Sequence, residues 1–236
     1  MDTPVSKILS LPEELLAHIV GLVVSYPARS WWAPDFDKFF RDAVSVMRVC
    51  RRFWRLAILY LYRYVDVAIG RVGPSFPAAS PKGTEHLHRT LSRDTSLREY
   101  CRVLHIYIGE YDGELPKKTM QDFAIWLAGT RSLLIDYVQP AVQTAHHLNQ
   151  AWDVTRAAVH SMASLEDITL TTGSDLLTLP AITETLRDAA CLRAVNLNGV
   201  SYAGLTLPWK DFKVHPPLVQ LYLAGYYGRL TSRPPR

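Results

Sequence analysis

Few reactive side chains in this sequence stand at spacings that would let them act together. A nucleophile elbow G-x-S-x-G, a P-loop, a G-x-G-x-x-G turn and the zinc-protease pattern H-E-x-x-H are all absent. His86-x-His88 and His146-His147 are the closest approach to metal-ligand spacing, but neither pair has a cysteine or a second donor pair at ligand distance in sequence. Surface or capping roles are the simpler reading. Gly109-Glu110-Tyr111-Asp112-Gly113-Glu114 is acidic, yet it lacks the alternating ligands and closing glutamate of a calcium loop, and reads as a polar turn. Cys50 stands beside Arg51 and Arg52, which would favour a thiolate, but it falls in an apolar helical pattern with no histidine near in sequence. A structural role for that thiol is favoured. No catalytic residue, metal or cofactor is therefore expected.

The 236 residues are 48% hydrophobic and 20% charged, a composition able to bury a core. Six arginines (Arg41, Arg48, Arg51, Arg52, Arg55 and Arg63) face one acid, Asp42, within 23 residues, so this one stretch exceeds the whole chain's net charge of +4. Its partner should be acidic. Nucleic acid is disfavoured, because phosphate binding would call for lysines and a second basic stripe. Three widely spaced cysteines make no disulfide framework. The opening MDTPVSKILSLPEE has no cationic lead into an apolar run, and the longest apolar run, Leu15 to Val24, is interrupted by His18. The expected protein is a reduced intracellular one, cytoplasmic or nuclear, with no membrane contact.

The elements that would carry these side chains come in two styles. Ser10-Leu-Pro-Glu13 fits a capping box ahead of a helix whose apolar positions are Leu15, Leu16, Ile19, Leu22 and Val23, ending near Ser25. Tyr26 to Pro34 reads as a loop, with Trp31 and Trp32 open to a role as core filler or partner anchor. Helical spacing resumes from Phe39 to Leu61, and periodicity leaves open one helix or two with a break near Ser45. Gly70 to Gly83 is rich in glycine and proline, and Thr84 to Arg93 reads as a short helix.

Beyond residue 100 the pattern x-x-x-L-x-L recurs at Cys101–Ile106, Thr130–Ile135, Leu165–Leu170, Leu192–Leu197 and Leu218–Leu223. The last apolar positions are separated by 29, 35, 27 and 26 residues. Helix-like stretches lie between them at 119–128, 141–162 and 182–190. Short apolar strands each followed by a helix, at intervals of roughly 20–29 residues, are the signature of leucine-rich repeats. An ordinary alternating α/β domain is the competing reading. The regular spacing and the glycines closing three units (Gly173, Gly199, Gly225) favour the repeats.

The first 67 residues resemble an F-box. The resemblance rests on Leu11-Pro12-Glu13-Glu14-Leu15-Leu16, then Ile19, then Val49-Cys50-Arg51-Arg52-Phe53-Trp54-Arg55-Leu56-Ala57, closed by Leu61-Tyr62-Arg63-Tyr64-Val65. The remainder is similar to the degenerate repeat regions of fungal F-box proteins. The resemblance implies an α+β protein: a three-helix F-box over 6–67, a linker over 68–83, and a short irregular leucine-rich-repeat-like array over 84–236. It further implies a non-catalytic substrate adaptor of a cullin-RING ubiquitin ligase, acting in ubiquitin-dependent degradation. A Skp-type adaptor, and through it a cullin, would be bound by Leu11, Pro12, Leu15, Ile19, Val49, Cys50, Phe53 and Trp54. Arg48, Arg51, Arg52 and Arg55 would rim that contact.

The array would bind a target protein. Positions alternating with the strand leucines face one surface, which nominates His105, Tyr107, Asp136, Thr169, Asn196 and Tyr222 as target contacts. Two departures from the family stand in the sequence. Residues 26–37 form an insertion after the first helix, and the asparagine that follows the last strand leucine in regular repeats is replaced by Gly109, Val138, Gly173, Val200 and Tyr226. The alternative is a protein-interaction scaffold whose altered F-box no longer serves a ligase.

Overall fold

The computed structural model describes residues 8–24, 36–70, 80–109, 117–137, 145–172, 189, 191–198 and 220–224. The chain divides into two compact units, Met1–Tyr64 and Val65–Arg236. The division falls inside β1, ahead of the boundary at 67 expected from the sequence. No helix among the described residues is long and apolar enough to cross a membrane.

The first unit holds helices α1 (Glu13–Val23), α2 (Phe36–Met47) and α3 (Arg51–Leu61). The Phe39–Leu61 pattern is thus two helices, broken at Arg48–Cys50. Their core is Leu16, Val20, Val24, Ala43, Leu56 and Ala57, flanked by Leu11, Ala17, Val46, Met47, Phe53, Tyr60 and Leu61. Helix α1 begins later than a cap at Ser10 would start it. Pro12 is the residue before the helix and no side chain caps it, while Glu13 and Glu14 place negative charge at the positive end of the helix. Only part of the apolar surface of α1 is buried. Leu16, Val20 and Val24 recur at four-residue spacing and point inward, leaving Leu15, Ile19, Leu22 and Val23 outside. Small residues decide this. At Gly21 a Cβ would come within 2.7 Å of the Tyr60 hydroxyl, which donates to the Ala17 carbonyl at 2.9 Å. That close approach fixes the side of α1 that meets α3.

Arg52 turns inward instead of lining a rim. Its guanidinium donates to the Leu9 carbonyl at 2.7 Å and the Leu11 carbonyl at 3.0 Å, fastening the segment before α1 to the first turn of α3. A fork of this geometry has no lysine equivalent. Arg52→Met should lower the unit's stability by about 2 kcal/mol, the range for hydrogen bonds from a charged donor. Urea denaturation followed by far-UV circular dichroism checks this, and Arg52→Lys should restore under half of the loss.

The second unit is a six-stranded sheet in the order β1-β2-β3-β4-β5-β6. Its strands are β1 (Tyr64–Ile69), β2 (Val103–Ile108), β3 (Ser132–Tyr137), β4 (Asp167–Thr172), β5 (Ala194–Asn198) and β6 (Gln220–Ala224). Each pair from β2 to β6 is parallel and in unshifted register, Leu104 facing Leu133, Ile168, Val195 and Leu221 in turn. Helices α4 (Pro81–Arg93), α5 (Lys117–Trp126) and α6 (Ala145–Ser161) lie between the earlier strands in the chain. The chain is therefore mixed helix and strand. Parallel strands in consecutive order require crossovers of a single hand, and these leave the connecting helices on one face. The third helix expected, over 182–190, lies outside the described residues except for Ala189.

Each predicted x-x-x-L-x-L segment begins two residues before its strand, and in the first four the opening residue is buried. Cys101, Leu104 and Ile106 form one such triplet. Thr130, Leu133 and Ile135, then Leu165, Ile168 and Leu170, then Leu192, Val195 and Leu197 repeat it. The joints between units also repeat. The Arg102 carbonyl accepts from the N–H groups of Arg131 and Ser132, the Arg131 carbonyl from Glu166 and Asp167, and the Glu166 carbonyl from Arg193 and Ala194, all at 2.7–3.1 Å. A turn precedes each, with Thr130 N–H on Leu127, Leu165 on Met162 and Leu192 on Ala189.

β1 closes one end of the sheet. The Ile69 carbonyl accepts from Gly109 N–H at 2.8 Å, and Gly70, with φ of 74°, turns the chain away in a conformation that favours glycine. The outer backbone of the strand is covered at Ala68. Buried Thr84 on α4 accepts from the Ala68 N–H at 2.8 Å and donates to its carbonyl at 3.1 Å. This blocks the groups an exposed edge would offer to a foreign strand. Thr84→Val keeps the shape and strands both groups, so it should cost about 2 kcal/mol in thermal or urea unfolding. The expected linker is correspondingly shortened: Ala68 and Ile69 are strand, and Pro81 to Gly83 open α4, whose N-cap Ser80 accepts from Gly83 N–H.

Candidate docking surfaces

On the helical unit, the residues proposed from the resemblance divide by burial. Leu11 and Phe53 are half-buried against the core, and Pro12 is exposed at the start of α1. Leu15, Ile19, Val49 and Trp54 are 52%, 39%, 55% and 46% exposed. Cys50, half-buried, is the residue before α3, and its side chain caps nothing. Leu22, at 67%, and Val23 add to the exposed apolar surface of α1. The sequence places both on the apolar face of the helix without telling which residues of that face are buried. The signal that tells them apart is Leu16-Val20-Val24, which with Ala17 and Gly21 already completes a buried face. Residues 25–35, which include Trp31 and Trp32, are outside the described residues.

On the sheet, alternation sends one set of side chains to the core and the other to the opposite face. The backbone register aligns the second set into two rows. By backbone register one passes through His105, Leu134, Thr169, Asn196 and position 222, and the next through Tyr107, Asp136, Thr171, Asn198 and position 224, the side chains of Tyr222 and Ala224 lying outside the described residues. The six positions nominated as target contacts all fall on these rows. Thr169 and Asn196 are half-buried, whereas His105 and Tyr107 are each only 8% exposed. Their rings lie against one another with centroids 3.9 Å apart.

His105 sits between two carboxylates from the neighbouring strands. Its Nε2 is 2.9 Å from Asp136 Oδ2 and its Nδ1 is 3.4 Å from Asp66 Oδ1. Burial alone would push the imidazole below its usual range, but hydrogen bonds to Asp136 and Asp66 outweigh it and hold the pKa above the ordinary 6.5. A doubly donating imidazolium satisfies both carboxylates, while a neutral ring would turn a lone pair toward one of them. Asp66 was missed because Tyr64-Val65 was read as the close of the helical module. The alternation Val65-Asp66-Val67 is the signal that places it on the polar face of a strand. Asp136 Oδ1 and Asn196 Oδ1 on the same face are shielded from solvent and have no hydrogen-bond donor among the described residues.

The other reactive side chains have structural partners. Cys101 is buried beneath β2, where burial pushes its thiol up to about 11, and it lies 3.5 Å from Thr130 Oγ1. A thiol so held is a poor nucleophile. His88 bonds to Asp122 at 2.9 Å and stacks on Trp126, and Arg98 also lies over that ring, 4.2 Å from its centroid. Among the described residues no three His, Cys, Asp or Glu side chains converge as a metal site would. Residues 110–114 of the acidic turn, and the side chains of His146 and His147, lie outside the described residues. Searches for similar proteins return no matching protein-family model and no significant match among curated sequences.

Proposed function

We propose that this chain is a substrate-recognition adaptor of a cullin-RING ubiquitin ligase, with an F-box over the helical unit and a leucine-rich-repeat-like array over the sheet. The observation that carries the reading is the division of apolar residues in the helical unit. The unit buries its own core and still leaves Leu15, Ile19, Val49 and Trp54 in solvent. Large apolar side chains left exposed in this number on one small unit point to an interaction site. These are positions at which the F-box resemblance puts the contact with a Skp-type adaptor.

The sheet supports the second half of the proposal. Consecutive parallel strands joined by the same carbonyl geometry at each step are what a repeat array requires. Its polar face keeps two shielded acceptors, Asp136 Oδ1 and Asn196 Oδ1, that find no donor among the described residues. Buried acceptors without donors are uncommon, and a target that donates to them would account for both. The chain itself then performs no chemistry. It raises the local concentration of a bound target beside the ubiquitin carrier.

Co-purification of the full chain with a Skp-type adaptor tests this. Leu15→Asp/Ile19→Asp is preferable to substitution of Leu11, since both side chains are exposed while Leu11 packs on the core. Wild type is expected to retain the adaptor and the variant to lose it with an unchanged circular dichroism spectrum. Failure of the folded wild type to bind would turn the reading to the non-ligase scaffold.

A further inference from the structure

From Ala43 to Tyr64 the chain has five arginines and no aspartate or glutamate. Arg52 is spent on the carbonyls of Leu9 and Leu11. Arg48, Arg51 and Arg55 are exposed, and among the described residues none of their guanidinium groups makes an ion pair or hydrogen bond. Arg51, Trp54 and Arg55 follow the i, i+3, i+4 spacing of one helix face, and Arg48 and Val49 lie in the turn that leads into it. Val49 and Trp54 are 55% and 46% exposed. The stripe also works against the helix that carries it. The first turn of α3 has no acid, and its arginines add positive charge to the positive end of the helix. Charge that destabilises its own element and satisfies no neighbour points outward, to a partner.

We propose that the corner between α2 and α3 docks an acidic protein segment. Its carboxylates pair with Arg48, Arg51 and Arg55, and an apolar side chain packs on Trp54 and Val49. The guanidinium fork matches carboxylate geometry bidentately. Arginine and tryptophan together are the composition of binding hot spots. The stripe from position 48 to 55 spans about 10 Å at helical rise, room for two or three carboxylates but a short track for a polyphosphate backbone. The other basic stretch, Lys210 to Arg236, spreads five basic residues and one acid over 27 residues, thinner than the arginines gathered here. The inference deepens the docking reading and rests on it to this extent: Val49 and Trp54 belong to both, and the adaptor surface that meets α3 would be acidic.

The test is association of the full chain with purified Skp-type adaptor at about 50 and about 500 mM salt, comparing wild type with Arg48→Glu/Arg51→Glu/Arg55→Glu. The wild-type on-rate should fall about tenfold between the two conditions. The variant should start about tenfold slower and respond little to salt. Trp54→Ala should act mainly on the off-rate. An on-rate equal in wild type and variant, and flat with salt, overturns the arginine contact while docking itself stands. If the folded wild type binds no adaptor, the docking reading fails and the stripe is judged on a second pair of probes. These are a short Glu/Leu peptide and a single-stranded oligonucleotide of equal charge. Peptide binding lost in the variant sustains the proposal; preference for the oligonucleotide, or binding of neither, overturns it.

Discussion

Replacing His105 by leucine is expected to lower the stability of the sheet unit by about 4 kcal/mol, the range found when one partner of a buried ion pair is removed. The side chains of His105, Asp66 and Asp136 are only 10%, 11% and 13% exposed, so solvent does little to screen the two carboxylates once the imidazolium is gone. The three residues come from three adjacent strands, and the loss should therefore loosen β1 and β3 together. Urea midpoints measure it directly. The pH dependence carries a definite sign. The imidazole pKa is raised in the folded protein above its ordinary 6.5. Its contribution is therefore fully present below about 6.5 and is lost as pH rises through the folded value. Between about pH 6 and about pH 9 wild type should lose stability relative to His105→Leu. A variant within 1 kcal/mol of wild type at the lower pH would mean that the cluster is not ion-paired.

Ile135→Ala should cost a similar amount, about 4 kcal/mol, by opening a cavity at a fully buried position. Ile135 stands in register between Ile106 on β2 and Leu170 on β4. In a stacked array each unit is held by its neighbours, so a void in a middle strand weakens two interfaces at once. Leu134→Ala, one residue away on the opposite face and half-buried, should cost under about 1 kcal/mol. Thermal or urea unfolding of the two variants side by side reads the face assignment. Equal losses would contradict the register.

The sheet was more legible in the sequence than the helical unit, for a physical reason. A strand leucine at i and i+2 marks both the element and its face. The five segments found by that spacing each overlap a strand, and the only systematic error was a two-residue displacement. The displaced residues, Cys101, Thr130, Leu165 and Leu192, are core residues of the turn before the strand. They carry the same apolar signal without the strand backbone. Helices offer no such economy. On α1 the apolar residues exceed one face, and which of them is buried depends on Gly21 letting Tyr60 approach, a tertiary fact. The capping pattern of Ser10 and Glu13 gives no hint that Arg52 fastens this segment to α3. Arg52 could not be told from its neighbours by type or position. Nor could the Asp66–His105–Asp136 cluster, whose members are 39 and 31 residues apart along the chain and meet only through strand order.

The joint between successive strands is made by one backbone carbonyl taking two backbone N–H groups, and the residues that supply it are Arg102, Arg131 and Glu166. Nothing in that joint reads a side chain, since basic and acidic residues serve alike. Selection on the joint is then selection on length and turn geometry, not on identity. Units can diverge at these positions without weakening the seam, and duplication of a unit would bring its own seam with it. A sheet built this way can change the side chains of its polar face while its backbone stays the same.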